Sequence, residues 1–283
     1  MRDSLPQPGE DRARADDPWI LVTNDDGVDS PALLPLLAAL ERLGPARAVV
    51  PDHECSWSSK TLTRFGRLRL RPVRAGDRTL HTLDGSPADC ANAGVHNLAE
   101  TPPLLAVSGI NIGANAGLAF LLSSGTVGAA VEAALSGVPA VAFSLQLRPD
   151  DYARWRRDRR DSLPPGAWEQ AAAVAREITS EVLRGGLPQG ARLLSVNLPP
   201  GAGPGTRRVL TRVAPSAYGR FFRGDGDGRL EHVSSGLRRL REMEDGDLDV
   251  LEKGWVSITP LGLGLDTGAS PGDRSRFERP SRC

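Results

Sequence analysis

The sequence predicts an α/β protein in which helices cover both faces of a parallel β-sheet, followed by a β-rich arm. The first observation is that short apolar runs of strand length alternate with stretches of helix length up to about residue 200. Such alternation is typical of βαβ units, which build parallel sheets covered on both faces. The second observation is that no further strand–helix–strand pattern follows Pro199. The 283 residues suffice for a sizeable core, because a chain of this length forms one large domain or two small ones.

The individual elements follow from apolar runs and from helix-capping residues. Strands are predicted where a short apolar run is bounded by turn residues, at 19–23, 46–50, 104–108, 139–144, 193–197 and 255–259,. Helices are predicted at 31–43, where Asp29 or Ser30 can cap the start, at 86–99, at 125–136 and at 168–183,.

Composition divides the chain into a core, an extension and two tails. The boundaries are predicted at 1–17 for a disordered tail, 18–200 for the α/β core, 201–262 for a β-rich extension with the final strand, and 263–283 for a second disordered tail. Both tails are rich in charge, Pro and Gly, and such segments bury too little apolar surface to fold.

The extension is predicted to hold a pair of strands and a subunit contact. Residues 207–214 and 229–234 could pair around the Gly/Asp-rich segment 224–228. A two-stranded ribbon is marginally stable alone, and exposed aromatic groups usually need a partner surface. Tyr218 and its neighbours Phe221 and Phe222 therefore predict a homodimer or homotetramer,. The alternative is that the ribbon folds back onto its own core.

Charge and cysteine content exclude several classes of protein. The 35 acidic and 35 basic residues balance, so no global field attracts a nucleic acid polymer or a membrane surface,. No segment approaches the roughly 20 apolar residues that span a bilayer. The three cysteines lack metal-binding spacing or a disulfide framework,. A cytoplasmic protein is expected.

The chemistry is expected where the strands end, because ligands of open α/β sheets bind at the carboxyl ends of strands. Asn24-Asp25-Asp26-Gly27 follows the first predicted strand. Two adjacent carboxylates raise each other's pKa, and a hard divalent cation removes that cost. On composition alone, the alternative is a solvated turn next to a helix cap, because turn residues dominate such loops.

Three further segments supply ligands of the right type. The hydroxyl-rich loop 51–59 contains Ser56, although a plain polar loop is the better interpretation when this segment is taken alone,. Residues 109–117 alternate Gly and Asn, and include Asn111,. Ser124-Gly125-Thr126 opens a helix, where free N–H groups favour anions; a simple cap is compatible with that role,. Acidic metal ligands beside a phosphate cradle predict metal-assisted phosphoryl hydrolysis.

These segments, in this order, resemble the stationary-phase survival protein SurE family of 5′/3′-nucleotidases. The resemblance covers roughly residues 19–262. The matching motifs are ILVTNDDGVDSPAL, PDHECSWSSKTLT, LDGSPADC, AVSGINIGANAG, SGTVGAAVEAALSGVPAVAFS, SVNLP and GWVSITPL. Several ordered motifs are far more specific than any one of them.

The resemblance implies a Rossmann-like three-layer core, a C-terminal extension that pairs subunits, and hydrolysis of nucleoside monophosphates or other phosphate esters with one divalent cation such as Mg²⁺ or Mn²⁺. It implies metal ligation by Asp25, Asp26, Ser56 and Asn111. It places Asn24 beside the reacting phosphate, and makes Asn24, Asp25 and Asp26 the catalytic residues. It implies phosphate binding by Asn24, Asn111, Ser124, Gly125 and Thr126.

Two departures from the family pattern border the expected pocket. The segment before Ser124, residues 118–123, is apolar and ends in Ser123 where the family commonly has Tyr, and Trp57 replaces a small residue. They motivate two alternatives: a related phosphatase specialised for one phosphorylated metabolite of a dedicated pathway, or a nucleotide-binding protein without turnover. The retained ligand set counts against the second alternative.

Overall fold

A nine-stranded sheet forms the centre of the computed structural model, which describes residues 18–158, 163–233, 236–266 and 268–278. The predicted tail at 1–17 lies outside the described residues, as does the end of the second tail from residue 279.

The elements are numbered in chain order. The strands are β1 (Ile20–Thr23), β2 (Ala46–Pro51), β3 (Leu70–Ala75), β4 (Arg78–Leu83), β5 (Leu105–Ile112), β6 (Ala140–Leu145), β7 (Leu193–Leu198), β8 (Arg208–Leu210), β9 (Ser216–Tyr218), β10 (Phe222–Gly224), β11 (Leu230–His232), β12 (Leu237–Arg239) and β13 (Val256–Leu261). The helices are α1 (Leu33–Leu40), α2 (Pro87–Asn97), α3 (Leu118–Ser123), α4 (Gly125–Leu135), α5 (Pro149–Asp158), α6 (Ala167–Gly185), α7 (Asp247–Glu252) and α8 (Pro271–Phe277).

The sheet confirms the predicted α/β class. Its strand order is β3-β4-β2-β1-β5-β6-β7-β13-β8, and the six strands from β4 to β7 run parallel. Strand β3 is antiparallel to β4, and β13 is antiparallel to β7. Parallel strands need long crossovers, and helices supply these except between β2 and β4, where a loop and β3 intervene,.

The three-layer arrangement follows from which strand residues are buried. Every residue of β1, β6 and β7 is buried, because helices cover both faces of these strands,. Helices α1 and α6 pack on one face, and α2 and α4 pack together on the other. A separate apolar cluster fills each interface, one around Leu36, Phe143 and Ile178, the other around Leu21 and Ala130.

The chain reverses its direction of travel across the sheet at β1. From β1 it proceeds outward through β2 and β4, and then returns to build β5, β6 and β7 on the other side of β1. A crevice opens at such a switch point, outside the carboxyl ends of the strands. The loops that follow β1, β2 and β5 therefore meet at one edge of the sheet.

Two element boundaries in the core differ from the prediction. Helix α1 begins only at Leu33 with no side-chain cap, so neither Asp29 nor Ser30 caps it. The reason is that Ser30 is used in turns: its N–H donates to Gly27 and its carbonyl accepts from Leu33. Strand β5 runs on to Ile112, so that Asn111 lies within the strand and not after it.

The predicted strand pair in the extension is wrong. Strand β8 joins the main sheet beside β13, while the segment 230–232 pairs with 222–224 as an antiparallel hairpin. The final strand also belongs to the central sheet. Strands β8 and β13 gain backbone pairing at the edge of the central sheet, which two short ribbon strands could not provide,.

Sequence analysis missed the β3–β4 hairpin, although a signal was present. The two-residue turn Gly76-Asp77 joins the strands, and Gly76 has the positive φ that such turns require,. In the C-terminal segment, α8 replaces part of the predicted tail, and Ser270 and Asp273 form a capping box at its start. Among the described residues, no helix has the length and apolar character needed to cross a membrane.

Candidate active site

The turn after β1 is closed by the side chain of Asn24. Its Nδ2 donates to the carbonyl oxygen of Gly27 at 2.9 Å, and its Oδ1 accepts from the Gly27 N–H at 3.1 Å. Gly27 has a φ of 85°, and a Cβ there would lie 2.9 Å from the backbone of His53. Asn24 is fully buried. These hydrogen bonds shape the acidic turn, and the contact of Asn24 with phosphate that the resemblance implies stays a prediction.

Asp25 is the most buried acid of this turn, with 4% of its surface exposed. The Thr126 hydroxyl donates to its Oδ1 at 2.6 Å, and the Thr126 backbone N–H also donates to this carboxylate. Burial raises the pKa of Asp25 to about 6; the Thr126 hydrogen bonds oppose the shift, and the charge of Glu54 adds to it. A carboxylate held this way gains from a bound cation.

Thr126 therefore positions Asp25. A hydroxyl has one proton to donate, and that of Thr126 is directed at Asp25 in a fully buried environment,. Sequence analysis expected the hydroxyl to face a phosphate. At the start of α4, the Thr126 and Val127 N–H groups are taken by Asp25 and Ser124, so the groups left for an anion are the Gly125 N–H and the hydroxyl of Ser124.

Asp26 and Asn111 approach each other across the β1–β5 pair. Oδ2 of Asp26 accepts from the backbone N–H of Ile112 at 3.2 Å, next to Asn111 in the chain. Nδ2 of Asn111 donates to the carbonyl of Gly113 at 2.7 Å, which leaves the amide oxygen as its ligand atom. The ladder between β5 and β6 shifts register between Ser108 and Asn111, and irregularities of this kind re-aim side chains,.

The loop after β2 is tied directly to the acidic turn. The Cys55 N–H donates to the carbonyl of Asp25 at 2.7 Å. The hydroxyl of Ser56 donates to Glu54 at 2.6 Å, so the oxygen lone pairs of Ser56 remain able to bind a cation,. Sequence analysis did not single out Glu54. Its signal was weak, since an acid in a polar loop is ordinary.

The residues fit a hard divalent cation. Asp25 and Asp26 supply carboxylates, Ser56 a hydroxyl and Asn111 an amide oxygen, and Mg²⁺ and Mn²⁺ prefer oxygen ligands. Within the part of the chain that the structure describes, no three His, Cys, Asp or Glu side chains are grouped to hold a metal. A cation held by the two acids would therefore need the neutral oxygens to complete its coordination sphere.

The start of α4 lies against this acidic turn. Ser124 caps the helix by accepting from the Val127 N–H at 3.1 Å, as expected. A Cβ on Gly125 would come within 2.7 Å of Ser58 Oγ and 3.0 Å of Asp25 Oδ2, so only Gly permits this approach. The hydroxyl of Ser58 is buried without a protein hydrogen-bond partner, and sequence analysis missed it.

A cavity of about 300 Å³ opens beside these groups. Ser56, Asn111 and Ser124 line it together with aromatic residues. Below it, Asn115 links three elements: its N–H donates to Oδ1 of Asn197 at 2.8 Å, and its Nδ2 donates to Ser144 at 2.9 Å. This buried network positions the loop after β5. It was missed because only the fold brings β5, β6 and β7 together.

Known proteins are similar to this chain in fold and in sequence. The family model described as "Survival protein SurE" matches residues 20–220. The 5′-nucleotidase SurE of Methanocella arvoryzae is 36% identical over 254 residues, covering 87% of this chain and 92% of that protein. This chain belongs to the SurE family. The 5′-nucleotidase SurE of Pelobacter propionicus is 37% identical over 255 residues, covering 89% of this chain and 96% of that protein.

A solved SurE structure supports the same assignment. The SurE protein from Aquifex aeolicus superposes with a TM-score of 0.71 at 32% identity, covering 88% of this chain and 95% of that one. The acidic turn, the Ser56 loop, Asn111 and the start of α4 all fall within the residues that the SurE family model matches. The resemblance inferred from the ordered motifs is thereby confirmed.

Proposed function

We propose that this chain is a metal-dependent phosphomonoesterase that hydrolyses nucleoside 5′-monophosphates, and 3′-monophosphates, to nucleoside and phosphate. The observation that carries the proposal is that Asp25, held at the start of α4, shares one sheet edge with Asp26, Ser56 and Asn111 beside a cavity. The curated SurE relatives named 5′-nucleotidase cover most of this chain, which supports the substrate class.

One divalent cation would be held by Asp25, Asp26, Ser56 and Asn111. Such a cation supplies Lewis-acid polarisation of a phosphoryl oxygen and acidifies water. Among the protein groups, Asp25 orients the attacking water or accepts its proton. The hydroxyl and backbone N–H of Thr126 hold Asp25 in place for this role.

The phosphate is bound by the start of α4 and its neighbours. The Gly125 N–H at the N-terminus of an 11-residue helix favours an anion, and Ser124 keeps a hydroxyl proton free because it caps as an acceptor,. Gly125 permits close approach to this position. Donors that are already aligned stabilise the charge of the equatorial oxygens without reorganising. Asn24 contributes by fixing the turn that carries both acids.

The proposal is tested by a phosphatase screen of metals against substrates. Protein stripped with a chelator is assayed for phosphate release from nucleoside monophosphates and from other phosphorylated metabolites, with Mg²⁺, Mn²⁺ or Co²⁺ restored separately. We expect metal-dependent release from several nucleotides. The absence of phosphate release from every substrate with every metal contradicts the proposal. Release from a single phosphorylated metabolite alone establishes the specialised alternative.

Variants of the acidic pair test the metal ligands within the same screen. Asp25→Asn and Asp26→Asn each remove one charged ligand, so both should abolish turnover and weaken Mn²⁺ binding measured by calorimetry. Ser56→Ala removes a neutral ligand and should cost less. Near wild-type turnover of either Asn variant in saturating Mg²⁺ refutes the assignment.

Assembly and location remain proposals of the same kind. A homodimer or homotetramer formed through the extension is proposed. Of the three aromatic residues that predicted it, Tyr218 and Phe221 pack within the chain, and Phe222 remains 53% exposed for a subunit contact.

Cytoplasmic location is proposed because Cys55 and Cys90 carry free thiols, as expected in a reducing compartment,.

A further inference from the structure

A cluster of aromatic rings borders the cavity. Trp57 from the Ser56 loop and Phe120 from α3 line the cavity, and their ring centroids are 5.7 Å apart. Tyr218 and Phe221 from the extension lie 5.5 Å and 5.6 Å from Trp57. Ring distances of this size lie within the range of favourable aromatic contacts.

The indole of Trp57 is held firmly but is not covered. Phe120 and Phe221 meet it edge to face, at interplanar angles of 86° and 89°. Tyr218 is anchored in turn through a 2.6 Å hydrogen bond to Ser123. Despite three ring neighbours, 52% of Trp57 remains exposed. A large apolar ring that is fixed yet exposed beside a cavity is typical of a ligand-binding surface.

The backbone of Trp57 is in a conformation that a bulky residue rarely adopts. Its φ is 62°, in the left-handed region, which favours glycine,. Strain of this kind persists where the surrounding structure enforces it, and it concentrates at ligand-binding sites. Here the strained residue directly follows Ser56, a proposed metal ligand, so it links the metal position to the aromatic wall.

A third aromatic group lines the cavity from another element. Tyr152 of α5 belongs to the cavity wall, and its ring lies 3.7 Å from where a Cβ on Gly113 would be. Aromatic groups from a loop, from α3 and from α5 therefore line the same space of about 300 Å³ as Asn111 and Ser124. A molecule that combines a phosphate with a flat ring matches this lining.

We propose that Trp57, supported by Phe120, Tyr218 and Phe221, is a stacking platform for the nucleobase of the substrate, so that the site favours nucleotides over phosphate esters that lack a planar ring. The inference rests on the proposed function and names the part of the substrate that this chain recognises. Planar π-faces stack on indole whatever their hydrogen-bonding edges, so the platform selects for a base without selecting one base.

The test compares two substrates that differ only by the base. AMP and ribose 5-phosphate share the sugar and the phosphate, so the ratio of their kcat/KM values isolates the contribution of the ring. In Trp57→Gly, which removes the indole and suits the positive φ, we expect this ratio to fall roughly tenfold, mainly through KM for AMP. Trp57→Phe should retain most of the preference. The matched control is Phe277→Ala, which removes an exposed aromatic ring far along the chain in α8 and should leave the ratio unchanged.

A binding measurement separates this inference from the proposed hydrolysis. Adenosine should quench the tryptophan fluorescence of the wild-type protein, and this quenching should be lost in Trp57→Phe. An unchanged AMP to ribose 5-phosphate ratio in a folded Trp57→Gly protein overturns the platform even if both esters are hydrolysed. Quenching that survives in Trp57→Phe overturns it as well. If neither ester is hydrolysed but Trp57-dependent quenching is present, the hydrolysis proposal fails and the platform stands.

Discussion

At the scale of single residues, the central pair is Asp25 and Thr126. Asp25 is enclosed by protein, and burial raises its pKa to about 6. The Thr126 hydroxyl donates to one carboxylate oxygen and fixes its orientation. A carboxylate in this environment is ready for a cation, because desolvation has removed the water that would otherwise stabilise its charge. Neighbouring Ser58 adds a buried hydroxyl without a protein partner, close to the same carboxylate.

The orienting role of Thr126 is tested by Thr126→Val. Valine keeps the shape and removes the hydrogen bond to Asp25, so kcat/KM should fall roughly 10- to 100-fold, with weaker Mn²⁺ binding. Thr126→Ser restores a hydroxyl and should recover most of the loss. Measurements are steady-state rates, calorimetric metal affinity and melting temperature. If Thr126→Val melts far earlier but the folded protein keeps wild-type activity and metal affinity, the residue serves only the fold.

At the scale of elements, the decisive contact is between α4 and the Ser56 loop. A Cβ on Gly128 would lie 2.2 Å from the carbonyl oxygen of Ser59, and Ser59 itself donates to Ser123 and Leu122. Lys60 and Glu132 add a 2.7 Å ion pair between loop and helix, with Glu132 buried. The small residues of α4 thus let the loop that carries Ser56 lie directly on the helix that holds Asp25.

Because Gly128 lies so close to the backbone of Ser59, one added methyl group should have a large effect on stability and activity. Gly128→Ala should push the loop away from α4, destabilise the fold by about 1–3 kcal/mol and lower activity, because overpacking displaces backbone. The matched control is Gly185→Ala at the end of α6, where no atom lies within 4 Å of the added Cβ. Urea denaturation and phosphatase rates measure both variants. Equal stability and activity of the two variants contradict the close contact.

At the scale of the whole molecule, Asp247 fastens the extension to the core. Its buried carboxylate accepts from the N–H groups of Gly117 and Ala214 at 2.9 Å and of Leu248 at 2.8 Å. Gly117 ends the loop after β5, and Ala214 lies in the extension between β8 and β9. One side chain therefore ties the cavity loop to the segment that carries Tyr218 and Phe221, which support Trp57.

Replacing that carboxylate should loosen the cavity as well as the fold. Asp247→Asn turns one acceptor into a donor that faces a backbone N–H, at a cost of about 1–3 kcal/mol for the unsatisfied groups. We expect a lower melting temperature and a higher KM for AMP. Asp266→Asn changes an exposed acid and serves as the control. A KM that stays at the wild-type value in Asp247→Asn would show that the hydrogen bonds of Asp247 do not affect the cavity.

Assembly is the second prediction at this scale. All residues of β10 and β11 are exposed, and Phe222 and Leu230 present apolar side chains there. We expect light scattering of the intact protein at micromolar concentration to show at least a dimer, and the double variant Phe222→Ser, Leu230→Ser to dissociate it with the core still folded. Leu265→Ser, at another exposed apolar residue, is the control. A clean monomer for the intact protein refutes the prediction.

Much of the core and the chemistry could be predicted because the relevant signals are local. The buried runs at β1, β6 and β7 are continuous apolar segments, which marks strands covered on both faces,. The capping box of α2 is visible as Ser86 followed by Asp89,. Asp25 and Asp26 stand out because two adjacent acids at a strand end are costly without a cation.

By itself, the sequence determined the α/β class, the strand-end location of the site, the SurE family and the candidate ligands, since each depends on residues close together in the chain. The tertiary structure alone decided which partners those residues take. It directed Thr126 to Asp25, moved β8 and β13 into the central sheet, and set Tyr218 and Phe221 against Trp57. These contacts join residues up to about 160 positions apart, and no local pattern of apolar or turn residues encodes which distant surface a side chain will meet.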